Sequence, residues 1–485
     1  MSSLKEQTVS GIFYKFLERA GAQGIQFIVS LVLARVLLPE EYGSVVIATV
    51  LIALLDVFVT YGFGNSLIVN KESDSIDFST CFYFGLTLSI IAYVFVWVFA
   101  PVFSKYYDNE SLVPIVRIMA IRLPIAAINS VQHAYVAKHM MFRKFFYSTL
   151  IGTIVSGAIA VFLAFAGFGV WALVEQYLGN VVIDTMVLCF TAGWRPTLEF
   201  SYKRLKNIYH YGWKILVAGL IDTAYGQLRT LVIAKRYTSK DLAYYDKGTH
   251  FSSVGMNLAE STIDGVLFPT LSKCNDDPQK MRNITRMMVQ TSTYMISPIM
   301  IGMAVCAEPL IVSLISEKWL NSVIFLKISC LGYLFRPLQI INNCVVKASG
   351  KSGLYLKLDI VKKVVGVTLL FISSHYGVIA IAWSFVITSL FSACINIAPV
   401  RKILKYGYVA QIMDSISNMI IALLMGFIVS LVRFFPFSAP LILCIQVAVG
   451  IIIYISISVW THNDSFFFLL EQIRIALQKN TQNKC

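Results

Sequence analysis

Twelve side chains with the means to bind charge or hydrogen-bond a solute lie inside stretches of this chain that are otherwise apolar. They are Arg19, Gln23, Arg122, Arg229, Lys247, Asn257 and Arg336, and the carboxylates Asp56, Glu175, Asp222, Glu260 and Asp264. Arg117, Asp184 and Lys327 share that setting. A charge costs about 3 kcal/mol at mid-bilayer, so roughly a dozen facing lipid would cost on the order of 35 kcal/mol. They must face water, a bound solute or one another. Helical spacing gathers several onto stripes: Lys15, Arg19, Gln23, Gln26 and Ser30; Lys214, Asp222 and Arg229; Lys247, His250, Asn257, Ser261 and Asp264; and Arg336, Gln339, Asn343 and Lys347. Such helices line a polar interior. Each arginine could equally pair with a carboxylate, and each amide could knit two helices together.

The elements that must position these residues follow from composition. The chain has 485 residues, 57% of them hydrophobic and 14% charged, with a mean hydropathy of +0.72, far from soluble averages. Its apolar runs are about 18 to 25 residues long, as helices crossing a bilayer require, and lack the short alternation of a porin-like barrel. The expected fold is an all-α polytopic membrane protein with about fourteen transmembrane helices. Spans are expected near 14–38, 44–68, 79–100, 113–136, 146–166 and 168–191, then 208–233, 242–270, 284–307, 322–346, 354–374 and 377–400, then 414–433 and 440–460. These define an N-lobe (1–191), a cytoplasmic linker (192–207), a C-lobe (208–400) and two further helices with a short polar tail (401–485). The first apolar run contains Glu18, Arg19 and Gln23 and is not a signal peptide. Nine scattered cysteines, with no C-x-x-C, read as packing residues, without disulfide framework or metal. Pro124, Pro298 and Pro337 mark places where spans could bend.

Lysine and arginine concentrate on one side: at Lys138, Arg143 and Lys144, at Lys203 to Lys206, and at Arg401 to Lys405. Loops rich in them stay cytoplasmic, which places both termini inside. The net charge of +14 then reflects topology and anionic lipid, and nucleic acid is not an expected partner. The chain also repeats itself at an offset of 200 residues. Leu31-Val32-Leu33-Ala34-Arg35 aligns with Leu231-Val232-Ile233-Ala234-Lys235, and Pro39-Glu40-Glu41-Tyr42-Gly43 with Ser239-Lys240-Asp241-Leu242-Ala243. Six helices per copy is an even number, so the pseudo-two-fold axis would run along the membrane normal.

Six stretches carry a family resemblance: LARVLLPEEYG, YGFGNSLIVNKE, AKHMMFRK, GFGVWALVEQYLG, VLFPTLSKCNDDPQK and LFRPLQIINNCVVKASGK. In that order they resemble a polysaccharide flippase, of the O-antigen or colanic-acid type, in the multidrug/oligosaccharidyl-lipid/polysaccharide exporter superfamily. The resemblance implies a fourteen-helix protein of the bacterial cytoplasmic (inner) membrane. It would move undecaprenyl-diphosphate-linked oligosaccharide to the outer leaflet as a monomer, beside the polymerase and export machinery of its pathway.

A diphosphate needs donors that stay cationic, and guanidinium offers a matching fork. Arg19, Arg122, Arg229, Arg336 and Lys247 are the candidates, with Gln23 and Asn257 for glycan or cavity contacts. Asp56, Glu175, Asp222, Glu260 and Asp264 are the candidates for coupling to H+ or Na+. No cofactor is expected. No loop is long enough for a glycosyltransferase domain and no G-x-x-x-x-G-K-[ST] motif is present, so the chain is expected not to be an enzyme. A cation-coupled multidrug exporter of the same superfamily is the alternative.

Overall fold

The structure is a computed structural model that describes residues 4–60, 63–69, 73–274 and 276–482. Those residues are helical or turn, without strands. The long elements are α1 (Leu4–Val36), α2 (Pro39–Thr60), a short α3 (Phe63–Val69), α4 (Ser75–Tyr106), α5 (Leu112–Met119), α6 (Arg122–Lys138), α7 (Phe142–Phe165), α8 (Val170–Thr191), α9 (Tyr202–Arg236) and α10 (Ser239–Lys273). There follow α11 (Pro278–Val305), α12 (Ala307–Leu314), α13 (Val323–Tyr333), α14 (Arg336–Ala348), α15 (Ser352–Ser373), α16 (Val378–Leu404), α17 (Tyr408–Leu431), α18 (Ala439–Trp460) and α19 (Asp464–Gln482). A helix overlies each expected span.

Among the described residues nine helical segments are long and apolar enough to cross a membrane: α2, α4, α5 with α6, α7, α8, Glu317–Ala348, α16, Tyr408–Phe434 and α18. The pair α11 and α12, bent by 71°, raises that to ten. This is a multi-pass membrane protein. Four more long helices, α1, α9, α10 and α15, fall short of that apolar test. Each carries charge along its length, such as Lys357, Asp359, Lys362 and Lys363 on α15.

Local chemistry explains several boundaries. Asp74 caps α4, accepting from the Ile76 and Asp77 amides at 3.0 and 3.1 Å, while Asp77 accepts from the Asp74 amide. Asp277 caps α11 through the Lys280 amide at 3.0 Å, with Pro278 in the first turn. Pro124 and Pro337, expected as bends inside spans, lie in the first turns of α6 and α14, where a missing N–H leaves no hydrogen bond broken. The expected spans 113–136 and 322–346 are accordingly each divided. The sharp bend falls at Cys306, four residues after Gly302. The tail expected to be short and polar carries α19, whose apolar side holds Phe466, Phe467 and Leu470.

The chain forms two compact units, residues 1–243 and 244–485. In the first, α7 packs between α1 and α8, α6 packs against α4 and α8, and α9 lies along α2. Its core includes Leu67, Phe78, Val131, Trp194 and Ile208, drawn from α3, α4, α6, the turn after α8, and α9. In the second unit α11 packs on α17, while α13, α14 and α15 all contact α16.

Candidate functional site

In the first unit three helices bring Asp56, Arg122 and Tyr177 together. Arg122 opens α6, Asp56 lies on α2 and Tyr177 on α8. The Arg122 guanidinium sits 4.5 Å above the Tyr177 ring, and its Nη1 donates to the Tyr177 carbonyl at 3.4 Å. Its Nε is 3.9 Å from Asp56 Oδ2. That is an ion pair at the limit of contact. Neither Arg122 Nε nor Asp56 Oδ1 has a hydrogen-bond partner, although both atoms are buried. Unspent donor and acceptor capacity of this kind suits a polar solute.

Glu175, on α8, stands differently. Its carboxylate folds over Gly179, where an added Cβ would lie 2.2 Å from Oε1, and its buried Oε2 accepts no hydrogen bond. No lysine or arginine among the described residues pairs with it. Asp184, about two and a half turns further along α8, is 9% exposed and accepts from Asn129 Nδ2 at 2.8 Å, with His133 Nε2 at 3.3 Å. Asn129 also donates to Thr185 Oγ1 at 2.9 Å. Asn129 and His133, one turn apart on α6, drew no notice in the sequence because neither carries a fixed charge.

On α1, Arg19 and Gln26 are exposed, Gln23 is half-buried with its Oε1 lacking a hydrogen bond, and Glu18 is buried beside Thr149. The expected stripe therefore has an open side. The Lys15 side chain lies outside the described residues. On α9, Lys214 and Asp222 are exposed and Arg229 is half-buried. Arg117 stacks on Trp97 at 4.2 Å and donates to the Trp97 carbonyl at 3.2 Å. Trp97 is itself exposed, so this cation points outward.

In the second unit Arg336 and Glu260 form a bidentate pair. Nη2 to Oε1 is 2.8 Å and Nε to Oε2 is 3.1 Å. The sequence reading gave these two residues separate tasks, phosphate contact and ion coupling; in the structure they engage each other. Arg336 Nη1 also donates to Gln339 Oε1 at 3.3 Å, and Gln339 Nε2 donates to Ser389. Lys247 is 6% exposed on α10 whereas Asn257 is exposed, so the stripe expected on this helix does not share one environment. Ten residues advance an α-helix by nearly three turns with a remainder of about 80°, which is the physical reason. The side chains of Ser261 and Asp264 lie outside the described residues.

The charges of α15 escaped the sequence reading. Lys362 and Lys363 lie 3.8 and 2.9 Å from Asp359, and Lys362 is only 12% exposed. Their signal was a Lys-Lys pair in the middle of an expected span. Among the described residues no three His, Cys, Asp or Glu side chains gather as a metal site.

Apolar helices with paired and half-paired charges inside them make this a multi-pass membrane protein whose spans carry polar contacts. Residues 32–324 match the model of the polysaccharide biosynthesis protein family, and the chain belongs to that family. It is 24% identical over 306 residues to the succinoglycan biosynthesis transport protein ExoT of Rhizobium meliloti (strain 1021), covering 63% of this chain and 62% of ExoT, a little under two thirds of that relative. It is 22% identical over 408 residues to the lipopolysaccharide biosynthesis protein WzxC of Escherichia coli (strain K12), covering 81% of each. Among solved structures, the lipid II flippase MurJ in an inward closed conformation shares the fold, with a TM-score of 0.74 at 14% identity over 94% of this chain and 99% of MurJ. An inward-facing multidrug resistance MATE family transporter gives a TM-score of 0.61 at 14% identity over 82% and 94%. The expected kinship with polysaccharide exporters is thereby met.

Proposed function

We propose that this protein is a flippase that carries an undecaprenyl-diphosphate-linked oligosaccharide, a repeat unit of O-antigen, capsule or exopolysaccharide, from the inner to the outer leaflet of the bacterial cytoplasmic membrane by alternating access. The observation that carries the reading is Arg122. A guanidinium that opens a membrane helix, held loosely by Asp56 and Tyr177 with a buried N–H unspent, is matched to an anionic headgroup. Family membership supports a polysaccharide cargo. The reading takes α1, α9, α10 and α15 as spans beside the nine apolar segments and the bent pair, about fourteen in all, in two six-helix lobes with both termini cytoplasmic. Arg19, Arg229, Arg336, Lys247, Gln23 and Asn257 would meet cargo at different stages, and Glu175 is the carboxylate best placed to couple a proton. The protein would transport without catalysing a reaction, beside its pathway's polymerase.

Purified protein in liposomes should move a labelled lipid-linked oligosaccharide between leaflets, faster with an imposed proton gradient. Movement no faster than in protein-free liposomes overturns the proposal. A multidrug exporter is the second reading, favoured by an apolar pocket of about 390 Å³ in the second unit, lined by Met303, Met425, Gln446 and Tyr454. A gene deletion that spares surface glycan but abolishes resistance to cationic dyes would select it.

A further inference from the structure

Arg117 has no part in carrying cargo as proposed above, and its surroundings set a physical problem. α5 packs on α2, α4 and α8 and has two unlike faces. Leu112, Ile115, Val116 and Met119 are buried, while Pro114 and Ile118 are exposed, as is Ile121 in the turn that follows. Arg117 lies beside Pro114 and Ile118 on the exposed side. The neighbouring surface of α4 is equally apolar. Val94 and Val98 flank Trp97 there and are 52% and 57% exposed. A half-buried guanidinium thus emerges from a wall of hydrocarbon side chains.

Depth makes that charge costly. Between Asp77 and Lys105, α4 carries no Asp, Glu, Lys or Arg, a stretch of about 40 Å with Ile91 at its midpoint. Trp97 lies about 9 Å beyond the midpoint, inside a hydrocarbon half-thickness of about 15 Å. Arg117 is held by its stack on the Trp97 ring at 4.2 Å and by the bond from Nε to the Trp97 carbonyl at 3.2 Å. Neither contact supplies a negative charge. Among the described residues no carboxylate pairs with Arg117, and Nη1 and Nη2 keep their N–H groups for another acceptor. Helical side chains lean toward the N-terminus of their own helix, and α5 starts at Leu112, on the side where α4 ends at Tyr106. The guanidinium therefore reaches toward the nearer head groups.

We propose that Arg117 and Trp97 form a binding site for the phosphate of an anionic glycerophospholipid in the leaflet on the Tyr106 side. That leaflet is the outer one in the topology proposed above, and only its name rests on that reading. The phosphodiester supplies the missing charge and accepts from the fork of Nη1 and Nη2. Trp97 holds the guanidinium plane, with its indole near the interface where such rings settle. The exposed surface of Val94, Val98 and Ile118 receives the acyl chains. The site opens on the outside of α4 and α5, so its lipid is a fixture of the wall, distinct from cargo. Because α5 leads into Arg122 at the start of α6, a lipid held there also steadies the depth of that cation.

The test is mass spectrometry of the intact protein released from detergent micelles, counting the lipids retained after addition of phosphatidylglycerol at low molar excess. The parent should retain one such lipid more strongly than it retains phosphatidylethanolamine. Arg117→Ala should lower that retention several-fold and Trp97→Leu should lower it less. Arg143→Ala, which removes an exposed cation stacked on Tyr147, should leave it unchanged. Equal retention by the parent and Arg117→Ala overturns the proposal, as does an equal loss in Arg143→Ala. Preference of the site for undecaprenyl phosphate over phosphatidylglycerol also overturns it and makes the site a station for cargo. Thermal midpoints in lipid-free detergent check that each variant is folded. Arg117→Gln, which keeps the polar stem without the charge, carries the test if Arg117→Ala is unstable. Retention needs no transport, so a failed transport assay and a failed lipid site are distinguishable.

Discussion

Arg336 and Glu260, on α14 and α10, hold each other through contacts of 2.8 to 3.1 Å while both remain about one third exposed. Their pairing makes each the other's counter-ion. Arg336→Ala should leave a partly desolvated carboxylate and lower stability by about 1 to 2 kcal/mol, with solvent screening keeping it at that level. Adding Glu260→Gln should recover most of that loss in thermal unfolding of the purified protein. Transport should stay at least tenfold down in both, because the cation is gone. Full transport by the double variant would make the pair purely structural.

Arg19 is exposed on α1, so its removal should leave the fold nearly untouched, within about 0.5 kcal/mol. We expect Arg19→Ala to insert at normal abundance and to lose surface polysaccharide at least tenfold. Wild-type polysaccharide levels would remove it from the cargo path.

Glu175 presents a buried oxygen with no donor and no cationic partner among the described residues. The isosteric Glu175→Gln change should keep or slightly raise stability, since it replaces a group that is unfavourable as an anion there. Cargo movement without a gradient should persist, and its acceleration by a proton gradient should disappear. Undiminished acceleration in the variant assigns the proton elsewhere.

Asp74 lies outside the spans, ahead of α4, where a hydrogen bond from Arg204 on α9 holds its carboxyl below the usual carboxylate range. A carboxyl lowered in the folded state contributes stability that is fully present above the unfolded value of about 4 and is lost as pH falls through the folded value. Arg204→Ala should therefore lower the unfolding midpoint slightly at pH 7, and the difference from wild type should shrink as pH falls below the unfolded carboxylate value of about 4. A difference that persists in acid would trace the effect to packing of the Arg204 stem.

Much of the architecture was legible because hydrocarbon imposes length and polarity on each span. Every expected span meets a helix, and the turn at 39–43 recurs at 239–243 with the same cap, the Leu38 amide donating to Glu41 and the Thr238 amide to Asp241. What escaped notice depended on tertiary partners. Pro124 and Pro337 look like kinks until the structure places them in first turns. Lys247 and Asn257 look alike on paper, yet one is buried and the other exposed. Asn129 and His133 become notable only once α8 delivers Asp184 to them. Spacing ranks residues along one helix, whereas a site is assembled from several.

Glu40 Oε1 lies 3.1 Å from Nζ of Lys240, its counterpart 200 positions on, and this contact bears on how such a chain can be built. At an interface between two like copies, position i generally meets j while j meets i, and only positions beside the symmetry axis meet their own counterparts. Two identical hairpins would set Glu40 against Glu40, or Lys240 against Lys240, and like charges a few ångströms apart repel. Only copies that have diverged in sequence can let one become acidic and the other basic. The attraction at this joint is therefore open to a fused, diverged chain and closed to any assembly of two identical halves.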